Sequence, residues 1–313
     1  MTIFFYGPNT YALRQQVGQM VEAYRAKAGS DYGLERIDGS GVKLRELSGM
    51  LQATPFLASS RLVLIEGLAG NRTAGGGLTE LLKSVSSTTV AVFIETEVDQ
   101  RTAAFKALNG ADKVVKFEPL APARLLGWCH DLVKQLGGQA DREALQELLA
   151  LAGEDQWRLS QELNKLVNYD ETVTVETVRR LVTPSVDQSV FELVEAMTAG
   201  RTDAALGAYR RLLAAQENEL YLLTMVQWQL RNLLLAKVAP QLTQAELAKE
   251  AGMSPYVAGK MMAAQRRHDE SVLRAAYRAA ADCELDIKSG RLKPEAAVER
   301  LIYQVTSGGL EAA

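Results

Sequence analysis

Apolar residues along this chain recur with two different periods, and the change falls at Pro122. Before it, short apolar runs alternate with stretches in which apolar residues return every three or four positions. After it, the strand signal nearly disappears and the helical spacing carries on. A chain patterned in this way is committed to an α/β unit followed by all-helical structure.

The first part predicts five strands, at 3–6, 34–37, 62–65, 90–94 and 114–117. Between them lie helices. Leu13, Val17, Met20, Val21 and Tyr24 share one face, closed near Gly29, and Leu44, Leu47 and Leu51 mark a second. Leu78, Leu81, Leu82 and Val85 mark a third, and 102–108 a short fourth. The run Leu62-Val63-Leu64-Ile65 is apolar at every position, as a strand buried on both faces must be. The alternation implies a mostly parallel sheet with helices on both faces.

The opening order of strand, glycine and helix is that of a nucleotide-binding phosphate loop, but its chemistry is missing. Such a loop needs a second glycine, then Lys and Ser/Thr, so that backbone N–H groups and an ammonium cradle the phosphates. Here the turn reads Gly7-Pro8-Asn9-Thr10. Pro8 removes one N–H, no second glycine follows, and the first basic residue, Arg14, falls inside the helix. The third strand ends on Glu66 alone, without the acidic pair that would hold Mg²⁺.

Beyond Pro122 come helices carrying Leu125, Cys129, Leu132 and Val133; Leu145, Leu148 and Leu149; Leu159, Leu163 and Leu166; then Val175, Val178 and Leu181. Thr183-Pro184-Ser185 reads as a linker. Helices follow at 190–197, 204–215, 220–238, 244–251, 255–264, 272–287 and 295–305. Met225, Val226, Trp228 and Leu230 give this last part a broader apolar surface than one small bundle buries. Gly75-Gly76-Gly77 reads as a flexible loop and Gly308-Gly309 as a frayed end.

Composition excludes several classes. A net charge of −3 announces no global affinity for nucleic acid, so any such contact must be local. No run approaches the ~18 apolar residues of a membrane span, and the N-terminus carries no signal-peptide pattern, so a cytoplasmic protein is expected. Two cysteines, Cys129 and Cys283, make no disulfide framework and read as buried small hydrophobes. The two histidines, His130 and His268, stand in no metal-binding cluster and read as partly exposed helical residues. No catalytic or metal site is expected.

The stretch from Leu242 to Ser254 has the front of a helix-turn-helix: Thr243 and Glu246 at capping-box spacing, Ala248 for close packing, and Gly252 at the turn. A helical hairpin used for packing has the same pattern.

An ordered set of short segments runs through nearly the whole chain. It begins with Phe4-Phe5-Tyr6-Gly7 and continues with Thr54-Pro55-Phe56-Leu57-Ala58-Ser59-Ser60-Arg61-Leu62-Val63-Leu64-Ile65-Glu66. Asp99-Gln100-Arg101 before Phe105-Lys106, Gly153-Glu154-Asp155 before Leu159, and Glu162-Leu163-Asn164-Lys165-Leu166 follow. Ser189-Val190-Phe191-Glu192-Leu193-Val194, Gln229-Leu230-Arg231 with Lys237, Ser254-Pro255-Tyr256 with Lys260, and Asp286-Ile287-Lys288-Ser289-Gly290 complete it. The set resembles the delta subunit of bacterial DNA polymerase III, the wrench of the replicative clamp loader.

That resemblance implies an α/β AAA+-like (P-loop-type) parallel-sheet domain at 1–120 lacking a functional P-loop, a helical lid at 121–185, an all-α collar at 186–306 and a tail at 307–313. It implies binding to the sliding clamp (beta) and opening of one clamp interface, so that the clamp is loaded on primed DNA during replication. The ATP would be used by partner subunits (gamma/tau), with delta-prime completing the ring. The chain would need no cofactor and perform no catalysis itself, although it serves the DNA-directed DNA polymerase III holoenzyme, a nucleotidyltransferase assembly.

The resemblance also implies a clamp-binding site at Gln52, Thr54, Pro55, Phe56 and Leu57, with Gln52 bonding at a pocket rim and Phe56 and Leu57 filling it. Spacing alone would place that pair in the core beneath the sheet, and it is the resemblance that turns the reading toward the clamp. Tyr256, Lys260, Arg266, Arg267 and Arg291 are candidate contacts to primer–template DNA within the complex. The alternative is a helix-turn-helix DNA-binding regulator with a degenerate ATPase domain.

Overall fold

The computed structural model describes residues 1–55, 58–71, 76–253 and 255–307, and of Pro122, Ala123, Pro255 and Tyr256 only the backbone. The chain divides into two compact units, Met1–Leu120 and Ala121–Ala313.

The first unit runs β1 (Thr2–Tyr6), α1 (Thr10–Ala28), β2 (Leu34–Asp38), α2 (Leu44–Gln52), β3 (Arg61–Glu66), α3 (Leu78–Ser84), β4 (Thr89–Glu95), α4 (Ala103–Leu108) and β5 (Lys113–Lys116). The strands pair in the order β2-β3-β4-β1-β5, and every pairing is parallel. Because side chains alternate across a strand, each apolar strand feeds two cores. Ile3, Phe5, Leu62, Leu64, Val92 and Ile94 pack against Leu13, Val17 and Val21 of α1. Phe4, Val63, Ile65, Ala91 and Phe93 pack against Leu47 and Leu51 of α2, Leu78 and Leu81 of α3, and Phe105 and Leu108 of α4. Both faces are therefore covered, as the all-apolar strands require. The edge strand β5 carries Lys113 and Lys116, charges that discourage pairing with another sheet. It ends one residue earlier than the sequence predicts, although the Phe117 N–H still donates to the Tyr6 carbonyl at 2.7 Å and its ring packs edge-on against Phe5 at a centroid distance of 5.3 Å.

The second unit contains α5 (Pro122–Gln135), β6 (Gln139–Ala140), α6 (Arg142–Ala152), α7 (Gln156–Tyr169), β7 (Thr172–Val173) and α8 (Val175–Leu181). It continues with α9 (Val186–Thr198), α10 (Thr202–Ala214), α11 (Glu219–Val238), α12 (Gln244–Ala251), α13 (Pro255–Ala264), α14 (Glu270–Lys288) and α15 (Pro294–Thr306). The expected lid and collar segments both fall within this unit. The parallel bridge of β6 to β7, Gln139 opposite Thr172 and Ala140 opposite Val173, has no signature in the sequence, since two residues cannot display a period. Gly138 permits it: a Cβ there would lie 2.9 Å from the Glu171 carbonyl oxygen. Around α9–α11, α14 and α15 the core is built from Val190, Leu193, Tyr209, Leu230, Leu233, Leu273, Leu301 and Ile302. Of the two glycine-rich segments read as mobile, Gly75, Gly308 and Gly309 lie outside the described residues.

Candidate functional site

The turn from β1 to α1 is closed by its own backbone. Gly7 takes a φ of +134°, and a Cβ there would lie 2.2 Å from the Phe117 carbonyl oxygen, so only glycine fits. Its N–H donates to the Glu95 carbonyl at 3.0 Å, the Asn9 N–H to the Phe117 carbonyl at 3.1 Å, and the Thr10 N–H to the Pro8 carbonyl at 2.9 Å. Asn9 caps α1, its Oδ1 accepting from the Ala12 N–H at 3.0 Å while its Nδ2 donates to the Glu118 carbonyl. Phosphate binding at a helix N-terminus depends on amides directed at the ligand. Those of Gly7, Asn9 and Thr10 already bond carbonyls, and Pro8 has none.

Beside this turn, at the C-terminal ends of β2, β3 and β4, opens a cavity of about 430 Å³ lined by Arg14, Arg36, Asp38, Glu66, Glu95 and Thr96. Arg14 donates through Nη1 and Nη2 to the two Glu66 oxygens, both at 2.7 Å. This fork holds the Glu66 carboxyl below its usual range and raises the guanidinium in turn. Glu95 is buried, its Oε1 accepting the Ala69 N–H at 2.7 Å. Burial pushes its carboxyl up to about 7 against the pull of that bond. Sequence reasoning missed Glu95, although a carboxylate directly after the apolar run 90–94 was the available signal.

The α2–β3 connection carries the expected clamp-binding residues. Gln52 is exposed and donates from Nε2 to Ser48 Oγ at 2.9 Å, within its own helix. Thr54 is exposed and Pro55 half-buried, while Phe56 and Leu57 lie outside the described residues. The base of the connection is held by Arg61, only 7% exposed. Its Nη1 donates to the carbonyls of Met50 (2.5 Å) and Ala53 (2.9 Å), and Nε and Nη2 both reach Glu35 Oε1, at 3.0 and 2.6 Å. The sequence offered only an arginine at the head of an apolar strand, which by itself names no partner.

In the second unit, α12 opens with the expected capping box of Thr243 and Glu246 and closes on Gly252 at a φ of +65°. The five basic and aromatic residues expected to touch DNA fare differently. Lys260 turns inward: its ammonium sits 4.0 Å from the centroid of the Phe191 ring and donates to Gln188 Oε1. Burial lowers its pKa, and a half-buried cation held by a ring and an amide is not a surface phosphate contact. Arg266 and Arg267 are exposed, Arg267 lying 3.5 Å from Glu195. Arg291 is exposed and pairs with Asp286 at 3.1 Å. The Tyr256 side chain is outside the described residues.

Cys129 and Cys283 are buried free thiols, as expected. His130 is exposed on α5, but His268 corrects the sequence reading. It is 6% exposed, sits in the turn before α14, and neither ring nitrogen has a hydrogen-bond partner among the described residues. The turn 265–267 just before it packs against α11 and α13, burial that a local pattern does not reveal. Among the described residues no group of three His, Cys, Asp or Glu could hold a metal ion, and no helix is long and apolar enough to cross a membrane.

Residues 187–305 match the family model described as DNA polymerase III delta subunit, C-terminal domain. The DNA polymerase III subunit delta of Bacillus subtilis (strain 168) is 22% identical over 316 residues, covering 96% of this chain and 91% of that protein. Among solved structures, the Bacillus subtilis DNA clamp loader delta protein superposes with a TM-score of 0.66 at 22% identity, covering 98% of this chain and 95% of the other.

Proposed function

We propose that this chain, a homologue of bacterial DNA polymerase III delta subunits, is the clamp-opening subunit of a replicative clamp loader and hydrolyses no ATP itself. One observation carries the reading. A chain similar to a delta subunit along its whole length has a β1–α1 turn whose Gly7 and Asn9 amides bond the Glu95 and Phe117 carbonyls rather than facing open space.

In this reading the first unit meets the sliding clamp through the α2–β3 connection, with Gln52, Thr54 and Pro55 leading into Phe56 and Leu57. The helices at 121–185 act as the lid. Those at 186–306 act as the collar that joins the ATPase subunits and delta-prime around primed DNA, in the cytoplasm. Arg266, Arg267 and Arg291 remain the basic residues able to face that DNA. Clamp loading by partner ATPases then uses this subunit for binding and prying, and every covalent step stays with its partners.

The test is a pull-down of the cognate clamp by the purified chain, without nucleotide and with ATP. Clamp capture that is independent of ATP in the isolated chain is expected. Failure to capture the clamp, combined with tight binding to a defined duplex by the chain alone, would favour the DNA-binding regulator.

A further inference from the structure

A single side chain closes the base of the α2–β3 connection. Arg61, the first residue of β3, reaches back eight positions to the Ala53 carbonyl and further to that of Met50. The Met50 carbonyl belongs to the last turn of α2, where helical C=O groups lack intrahelical partners and the helix dipole is negative, and Ala53 is the residue that caps that turn. A guanidinium is well suited to that place, and Glu35 on β2 fixes its plane through Nε and Nη2. The four bonds use four of the five N–H donors of the arginine. The other end of the connection is held too: the Tyr24 hydroxyl lies 2.9 Å from the Ser60 carbonyl. At the α2 end, the Leu51 carbonyl accepts from the Ser86 N–H at 3.1 Å.

We propose that Arg61, oriented by Glu35, is the positioning residue of the partner-binding connection. It fixes the direction in which the chain leaves α2, so that the segment meets the clamp with both ends already ordered. The proposal rests on the reading of this segment as the clamp contact. Ordering a loop at the moment of binding subtracts from affinity, and restraining it beforehand removes that loss. An arginine is required because lysine, with one nitrogen, cannot span two carbonyls and a carboxylate at once.

The test uses the full chain and five variants: Arg61→Lys, Arg61→Met, Glu35→Gln, the double variant Phe56→Ala/Leu57→Ala, and that double variant combined with Arg61→Lys. Hydrogen exchange is measured on the free proteins and clamp affinity by titration. Arg61→Lys should speed exchange in 53–60 by about tenfold, leave β4 and the second unit protected, and weaken clamp binding by about tenfold. Glu35→Gln should have a smaller effect of the same kind. Arg61→Lys should add nothing to the loss already present in the double variant. Unchanged exchange in 53–60, loss of protection throughout the first unit, or equal weakening in both backgrounds would overturn the positioning role. A double variant that loses the clamp while Arg61→Lys and Arg61→Met bind it normally would overturn the proposal and leave the clamp reading standing. A double variant that binds normally would remove both.

Discussion

Arg14 on α1 and Glu66 at the end of β3 are joined by two parallel hydrogen bonds of 2.7 Å. A fixed cation thus occupies both oxygens of this carboxylate. The acid therefore ties a helix to the sheet, and the cavity beside it is left without a lysine.

Calorimetry with ATP and Mg²⁺ should give no micromolar affinity, and purified protein should show no turnover. Arg14→Ala should not restore binding, because the Gly7 and Asn9 amides stay bonded to carbonyls whatever residue 14 is. Micromolar binding by either protein would contradict the reading of the turn.

Replacing Phe56 and Leu57 by alanine should weaken clamp binding by about 100-fold or more while leaving the melting temperature in place, as expected of an interface anchor. A drop in stability of ~2–5 kcal/mol, the usual result of core truncation, would instead assign the pair to the core. Circular dichroism melts on the same samples separate the two.

Glu95 predicts a pH dependence. Its folded-state value of about 7 lies above the ordinary 4.5, so the folded protein binds this proton more tightly than the unfolded chain does. The stabilisation is complete below pH 4.5 and is lost as pH rises to about 7. Glu95→Gln keeps an acceptor for the Ala69 N–H and removes the charge. It should therefore stabilise the protein above pH 7, by roughly 3 kcal/mol at most, and change little near pH 5. Urea midpoints across that range measure it.

His268 acts in the opposite sense. Burial lowers its pKa, opposed by Glu195 and assisted by Arg267 and Lys237, so the folded protein favours the neutral ring. That contribution is full above pH 6.5, the ordinary value, and is lost as pH falls below it. His268→Phe, which also removes two unpartnered ring nitrogens, should flatten the acid limb of the stability profile. An unchanged acid limb would show that the ring titrates freely.

Tyr221 on α11 and Leu285 on α14 are 51% and 56% exposed, large side chains that the core of this unit leaves uncovered. Tyr221→Glu/Leu285→Glu should fold normally and bind the clamp normally, yet join the ATPase subunits at least about tenfold more weakly. Size-exclusion chromatography of the mixed subunits reads this out. Unimpaired assembly would move the collar interface elsewhere.

The sequence by itself determined the elements and the limits on chemistry. Short apolar runs and a 3.6-residue period are local signals, so runs such as 62–65 and faces such as Leu13, Val17 and Val21 declare strand and helix without their partners. The missing lysine and Pro8 are equally local, and their consequence for phosphate binding follows from donor chemistry alone. Only the tertiary structure decided what depends on residues distant in the chain meeting in space. It placed β1 between β4 and β5, which brings the Glu95 and Phe117 carbonyls to the amides of Gly7 and Asn9. It turned Lys260 onto Phe191, buried His268, and paired two-residue strands that no period could reveal. It also gave Arg61 its carbonyls and its glutamate, a choice open to any arginine at the head of a strand until the neighbouring helix and strand are in place.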